Sequence, residues 1–164
     1  MSVRLVYLDS SGIVKRYVEE RGSEVVDAVY AKAETEELRF VFSIWNIGEV
    51  FGVFDRYVSR GLLPEEALKT ALLDFISEST KMVRLGSLQI LPMTTKSLVD
   101  SWLLVMKHHI YEADALQIST SKEANCSLLL SADVKLVQVA EKEGINAVDI
   151  EAEPEKALAT LSKT

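Results

Sequence analysis

The sequence predicts an α/β sandwich built on a mainly parallel sheet. Short apolar runs alternate with amphipathic stretches of helical length, which is the rhythm of βα units. Two of the runs, Leu5-Val6-Tyr7-Leu8 and Leu128-Leu129-Leu130, end abruptly in hydroxyls and a carboxylate, Asp9 and Asp133. The 164 residues, 48% of them hydrophobic, suffice for one domain with a real core.

The first strand covers Arg4 to Leu8, bounded by a polar turn. Asp9 then stands at the strand's carboxyl end, the edge where open α/β sheets bind ligands. Ser10 or Ser11 caps a helix running from Gly12 to Val18. A charge beside a buried strand is costly unless something pairs with it. Asp9 is therefore either a working acid or the cap of that helix, and on this stretch alone the two readings weigh equally.

A second helix spans Ser23 to Thr35, with Val25, Val26, Val29 and Tyr30 as its apolar stripe. Arg39 to Phe42 is the second strand. Ser43 caps a helix from Ile44 to about Arg60, whose buried face is Ile47, Val50, Phe51, Phe54 and Val58. Glu49 lies on the other side, with Trp45, Gly52 and Arg56. Gly48 and Gly52 bracket the acid, and each costs a helix interior roughly 1 kcal/mol against alanine. They suggest close approach of a backbone or ligand near Glu49; a salt bridge to Arg56 or a solvated face is the plainer reading.

Pro64 opens the next helix, with Leu68, Leu72, Phe75 and Ile76 as its core stripe. Leu88 to Leu91 is a third strand, closed by Pro92. Thr94 or Thr95 caps a helix to about Lys107 that carries Leu98, Trp102, Val105 and Met106 inward. His108 and His109 are adjacent, so on a helix they point about 100° apart; they read as surface or supporting residues rather than as ligands of one ion. Tyr111-Glu112-Ala113-Asp114-Ala115 opens a helix to about Ala124. Acids suit a first turn, but the alanines beside Asp114 let it turn partly inward. Ser127 to Leu130 is the fourth strand. Val134 to Glu143 is a helix stopped by Gly144, and Ile145 to Ile150 is the last strand. The expected domain is 1–150, followed by an acidic, alanine-rich tail over 151–164 with one short helix.

The formal net charge is −7, from 18 basic and 25 acidic residues. That argues against loose binding to nucleic acid or to an anionic membrane. It leaves room for a nucleic-acid enzyme whose acids hold metal. Cys126 is the only cysteine, so neither an internal disulfide nor a thiolate metal cage can form. No apolar run reaches the length of a membrane span, and Asp9 comes too early for a signal peptide. The expected location is the cytoplasm.

Right-handed crossovers bring the strand carboxyl ends to one edge. Asp9 and Asp133 both fall there, and Asp114 can reach it; the place of Glu49 does not follow from the pattern. Crowded carboxylates repel and hold protons unless cations relieve them. All-oxygen ligation suits Mg²⁺ or Mn²⁺, and such a site supports phosphodiester hydrolysis.

At Tyr7-Leu8-Asp9-Ser10-Ser11, Asn46-Ile47-Gly48-Glu49-Val50, Ala113-Asp114-Ala115-Leu116-Gln117-Ile118 and Ser131-Ala132-Asp133-Val134-Lys135-Leu136 the sequence resembles the PIN-domain ribonucleases, VapC-type toxins especially. The likeness runs over residues 3–150, with the four stretches in order. It implies a three-layer α/β/α sandwich around a central parallel sheet, and a Mg²⁺- or Mn²⁺-dependent endoribonuclease acting on RNA. It assigns Asp9, Glu49, Asp114 and Asp133 to the metal cluster. It gives Ser131 the task of orienting a water on the metal or Asp133, and makes Ser10 the hydroxyl that follows the first acid. It further implies the toxin of a type II toxin–antitoxin pair, a homodimer and a small antitoxin partner. Glu112 stands outside the pattern, as a fifth site acid or a helix-dipole residue. An acidic RNA enzyme needs local basic groups, for which Lys15 and Arg16 are the candidates.

Aromatic residues crowd the second strand and following helix: Phe40, Phe42, Trp45, Phe51, Phe54 and Tyr57. Any left exposed would form an interaction patch. Competing readings are a free-standing RNA-processing nuclease, a binding module without turnover, and aspartyl-phosphate chemistry at Asp9. For the last, a haloacid dehalogenase-type phosphatase needs a second Asp where Ser11 stands, and a receiver domain needs an N-terminal acid pair.

Overall fold

The computed structural model describes residues 4–163. In chain order the elements are β1 (Arg4–Leu8), α1 (Ser10–Val14), α2 (Ser23–Glu34), β2 (Leu38–Ser43), α3 (Ile44–Ser59), α4 (Glu65–Arg84), β3 (Leu88–Leu91), α5 (Thr95–His108), α6 (Glu112–Glu123), β4 (Leu128–Ser131), α7 (Val134–Lys142), β5 (Ala147–Asp149) and α8 (Pro154–Ser162). The strands form one parallel sheet in the order β3-β2-β1-β4-β5. The chain steps from β1 outward to β3, then returns to the other side of β1 for β4 and β5. The order therefore reverses between β1 and β4, and a crevice opens outside the carboxyl ends of those two strands.

Alternation along each strand divides the core into two layers. Val6, Leu8, Phe40, Phe42, Leu128 and Leu130 face α1, α2, α3, α4 and α8, where Val25, Val29, Val50, Phe54 and Phe75 meet them. Tyr7, Val41, Leu129 and Ala147 face the opposite way, toward α5, α6 and α7. The result is the expected α/β/α sandwich. The central strands are buried on both faces, which is why they read as unbroken apolar runs.

Three expectations about faces are corrected. Trp102 and Met106 do not point inward; they are 53% and 76% exposed. The buried face of α5 is instead Ser97, Ser101 and Leu104, because small side chains let α5 lie close against α6, where the Ser119 hydroxyl donates to the Ser97 carbonyl. Ile76 is exposed, since α4 buries Ala71, Phe75, Ser79 and Met82. Phe51 is exposed too, because the inward face of α3 is centred on Val50 and Phe54. The stretch after Glu151 folds as α8, which sets Ala157 and Leu161 into the main core.

Gly22 precedes α2 with φ at +90°, and a Cβ there would meet the Ile150 carbonyl oxygen at 2.8 Å. The left-handed backbone and the close approach both demand glycine. Gly22→Ala is expected to cost about 2–3 kcal/mol, read as a lowered urea midpoint with an unchanged slope.

Candidate functional site

β1 and β4 lie side by side, and each delivers its terminal polar residues to the crevice. A cleft of about 490 Å³ opens there, lined among others by Asp9, Glu49, Asp114 and Asp133. The four acids of the sequence reading thus come to one place. α3 follows β2 directly and lies against α1, which brings Glu49 to the edge from the far side of that helix.

Asp9 is 2% exposed and caps α1 as well as lining the cleft. Its Oδ1 accepts the Gly12 N–H at 2.9 Å and the Ser11 hydroxyl at 2.7 Å. Its Oδ2 accepts the Ser131 hydroxyl at 2.7 Å. Burial pushes the Asp9 carboxyl up to about 6, against those three donors, with the charge of Glu49 pushing the same way. Asp114 accepts no hydrogen bond from a described residue. Burial raises it to about 6 as well, then the charges of Asp133 and Glu49, with Lys135 opposing. Asp133 caps α7, its Oδ1 accepting the Leu136 N–H at 3.0 Å.

Ser131 sits behind the cleft, fully buried. Its hydroxyl donates to Asp9 and accepts the Asp133 N–H at 2.9 Å. It therefore joins two site acids through one carboxylate and one backbone amide.

Glu49 is held from behind by a buried amide network that residue pattern alone does not reveal. Its Oε2 accepts the Ser10 hydroxyl at 2.5 Å and the Gln117 Nε2 at 2.9 Å. Asn46, with no exposed surface, donates from Nδ2 to Ser10 at 2.8 Å and to the Gln117 Oε1 at 2.7 Å. The Asn46 Oδ1 accepts the Tyr7 hydroxyl at 2.9 Å and the Ser43 N–H at 2.7 Å. The one available signal was position: Asn46 is three residues before Glu49, and Gln117 is three after Asp114.

The oxygen set fits a hard divalent cation. Three donors take up three of about four acceptor positions on Asp9, with the Ser11 hydroxyl also reaching Oδ2 at 2.9 Å. Glu49 Oε1, Asp133 Oδ2 and both Asp114 oxygens accept nothing from a described residue. Among the described residues no three acids gather tightly enough to enclose an ion. Mg²⁺ does not require that, because it is held through one or two carboxylates and keeps several waters.

Several expectations fail here. Lys15 is not available to RNA: it is 3% exposed and paired with Glu20 at 3.0 Å and with Glu151. Burial would lower its pKa, but hydrogen bonds to Glu151 and Glu20 outweigh that and raise it. Arg16 is taken up by Glu78 at 2.7 Å and Asp27 at 2.6 Å. Glu112 receives the Trp102 indole N–H at 3.0 Å and does not line the cleft. No backbone closes on Gly48, where a Cβ would find open space. Of the aromatic cluster, Phe40, Phe42 and Phe54 are fully buried, leaving only Trp45 and Phe51 as exposed members. Among the described residues no helix is long and apolar enough to cross a membrane.

A family model described as PIN domain matches residues 6–142. No curated protein sequence matches the chain. Among solved structures, PAE2754 from Pyrobaculum aerophilum is similar at 15% identity and a TM-score of 0.64, over 99% of this chain and 91% of that one. VapC20 from Mycobacterium tuberculosis, described as a sarcin-ricin loop cleaving toxin, is similar at 12% identity and a TM-score of 0.60, over 89% and 98%. FitAcB from Neisseria gonorrhoeae is similar at 17% identity and a TM-score of 0.60, over 88% and 97%. At these identities the likeness is one of fold.

Proposed function

From the premise that the chain belongs to the PIN domain family, we propose that it is a Mg²⁺- or Mn²⁺-dependent endoribonuclease hydrolysing phosphodiester bonds in RNA. The observation that carries this reading is the meeting of Asp9, Glu49, Asp114 and Asp133 in one cleft at the reversal of strand order. The four acids would hold the cation together, one or two of them directly and the others through its waters. Once bound, such an ion neutralises phosphate charge and makes water a better nucleophile near neutral pH.

The remaining roles belong to the chain itself. Ser11, Ser131 and the Gly12 N–H fix the rotamer of Asp9. Ser10 and Gln117 fix Glu49 through one oxygen and leave the other toward the cleft. Asn46 sets both of those partners from the interior. Ser131 acts through Asp9, as a positioning residue.

We assign the protein the toxin role of a type II toxin–antitoxin pair, acting in the cytoplasm as a homodimer and restrained by a small antitoxin. The likeness to VapC20 supports the toxin role. Exposed Val99, Trp102, Leu103 and Met106 support the homodimer; they follow the i, i+3, i+4, i+7 spacing of one helix face.

Single-stranded RNA incubated with the purified protein and Mn²⁺ should be cut internally, and excess EDTA should stop the cutting. Cleavage that survives EDTA would overturn the metal assignment. Expression in the native operon should yield a heteromeric complex whose RNase activity rises when the small partner is removed. A monomer that copurifies with nothing and does not slow growth would replace the toxin reading with a free-standing nuclease.

A further inference from the structure

One wall of the cleft carries more than a cation ligand. α3 contributes not only Glu49 but also Trp45, Gly48, Gly52 and Arg56. These positions recur at helical spacing and form a single stripe. At 1.5 Å per residue, Trp45 and Arg56 stand about 16 Å apart along the axis.

The two ends of the stripe carry complementary chemistry. The Trp45 indole is 46% exposed, at the first turn of α3, where an aromatic of that size is ordinarily covered. Arg56 is exposed and, unlike Arg16, forms no ion pair with a described residue. Among the described residues it is the one cationic side chain lining a cleft that four carboxylates make negative. The floor between them is bare. A Cβ at Gly48 would meet nothing within 4 Å, and one at Gly52 would meet only Arg56 Nη1, at 3.5 Å. Each glycine weakens the helix, and neither is required by a turn or by packing.

We infer that this face of α3 is the binding track for a single strand of RNA. A base stacks on Trp45, a phosphate is taken by Arg56, and the sugar–phosphate chain crosses the glycine floor past Glu49. The strand is single because an indole fixed on a helix reaches the face of an unstacked base and not that of a paired one. The volume agrees: about 490 Å³ lies in the small-molecule range and admits part of a strand rather than a duplex. Arg56 also answers the charge problem left by Lys15 and Arg16, by supplying a phosphate contact outside the acidic cluster. The identity of the ligand rests on the proposed nuclease function.

The test reads Trp45 directly. The chain has two tryptophans, and Trp102 does not line the cleft, so in Trp102→Phe the indole emission comes from Trp45 alone. Titration with a short single-stranded oligoribonucleotide in EDTA, where nothing is cut, should quench that emission saturably, and a duplex of the same sequence should not. Trp45→Ala in the parent chain should weaken binding about tenfold, measured by anisotropy of a labelled oligonucleotide. Arg56→Ala should weaken it several-fold and lower the slope of log K against log salt by about one. Gly48→Leu should melt higher than the parent and yet bind about tenfold more weakly, a combination that misfolding cannot produce.

Quenching by the duplex as strong as by the single strand would overturn the track. So would unchanged binding in all three variants, or a Trp45 response to an acidic peptide and not to the oligonucleotide. Quenching without cleavage under any divalent metal would sink the nuclease reading and leave the track standing. Cleavage with a silent Trp45 would do the reverse.

Discussion

Asp9→Asn is expected to lower metal-dependent RNA cleavage by on the order of 10³-fold, about 4 kcal/mol of transition-state stabilisation, with the fold retained. The substitution keeps the side chain's shape and removes its charge. The Gly12 N–H and the Ser11 hydroxyl still find an oxygen where Oδ1 stood, so α1 keeps its cap. What is lost is the negative charge at the reversal of strand order, where the cation would be held. Asp114→Asn should fall as far, since its oxygens accept no hydrogen bond from a described residue and serve no local structural purpose. Ser131→Ala should lose less, about 10–100-fold, because it acts through Asp9. Initial cleavage rates of a labelled single-stranded RNA at saturating Mn²⁺ decide the matter. Full activity in both asparagine variants would remove the carboxylate cluster from the mechanism.

In chelator, the same acids should make the protein less stable as pH rises from about 4 to 6. The free carboxyl of Asp9 ordinarily titrates at 3.8, and in the fold it is pushed up to about 6. Below both values the folded and unfolded chains are equally protonated, and the group contributes no difference. Between them the unfolded chain has released its proton while the folded chain still holds it. The folded state therefore binds more protons, and stability falls with rising pH. Above about 6 the loss is complete, and for Asp9 it amounts to about 3 kcal/mol. Asp114 shifts the same way but is only partly buried, so screening reduces its share to about 1 kcal/mol. A cation that binds only the folded state offsets the loss: Mn²⁺ at 100 times its Kd adds about 2.7 kcal/mol, worth roughly 5–10 °C in Tm. Melting curves at pH 4, 5, 6 and 7, in EDTA and in Mn²⁺, give the comparison. A double variant, Asp9→Asn/Asp133→Asn, should show a flatter pH profile and little response to Mn²⁺. An identical metal shift in that variant would place the ion elsewhere.

The parts of the site that lie at strand ends were legible in the sequence because a strand end is a local event. Leu8-Asp9 and Ser131-Ala132-Asp133 each announce a buried run and its polar stop within a few residues. Residue pattern shows Glu49 only as an acid bracketed by glycines, and the family resemblance alone makes it a site residue, since its place depends on how α3 packs, which no local pattern encodes. Asn46 and Gln117 are further from reach, as the bond between them joins residues 71 apart in sequence. Lys15 was misread for the same reason. Beside Asp9 a lysine looks like a solvated cation, and the partner that buries it, Glu151, lies 136 residues away. On α5 the rule that large apolar residues face inward failed because serines there allow two helices to approach more closely than tryptophan would.

The bond from Lys15 to Glu151 ties one of the first helices to one of the last turns, and β4 enters the sheet between strands made long before and just after it. During synthesis the amino-terminal half emerges first, carrying Asp9 and Glu49 but neither Asp114 nor Asp133. A nascent chain halted before β4 lacks Asp133 and the strand that orients Asp9 through Ser131. One halted before Glu151 leaves an ammonium buried with only Glu20 to answer it. The site thus comes together only late in the chain, when β4 arrives beside β1 with Ser131 and Asp133.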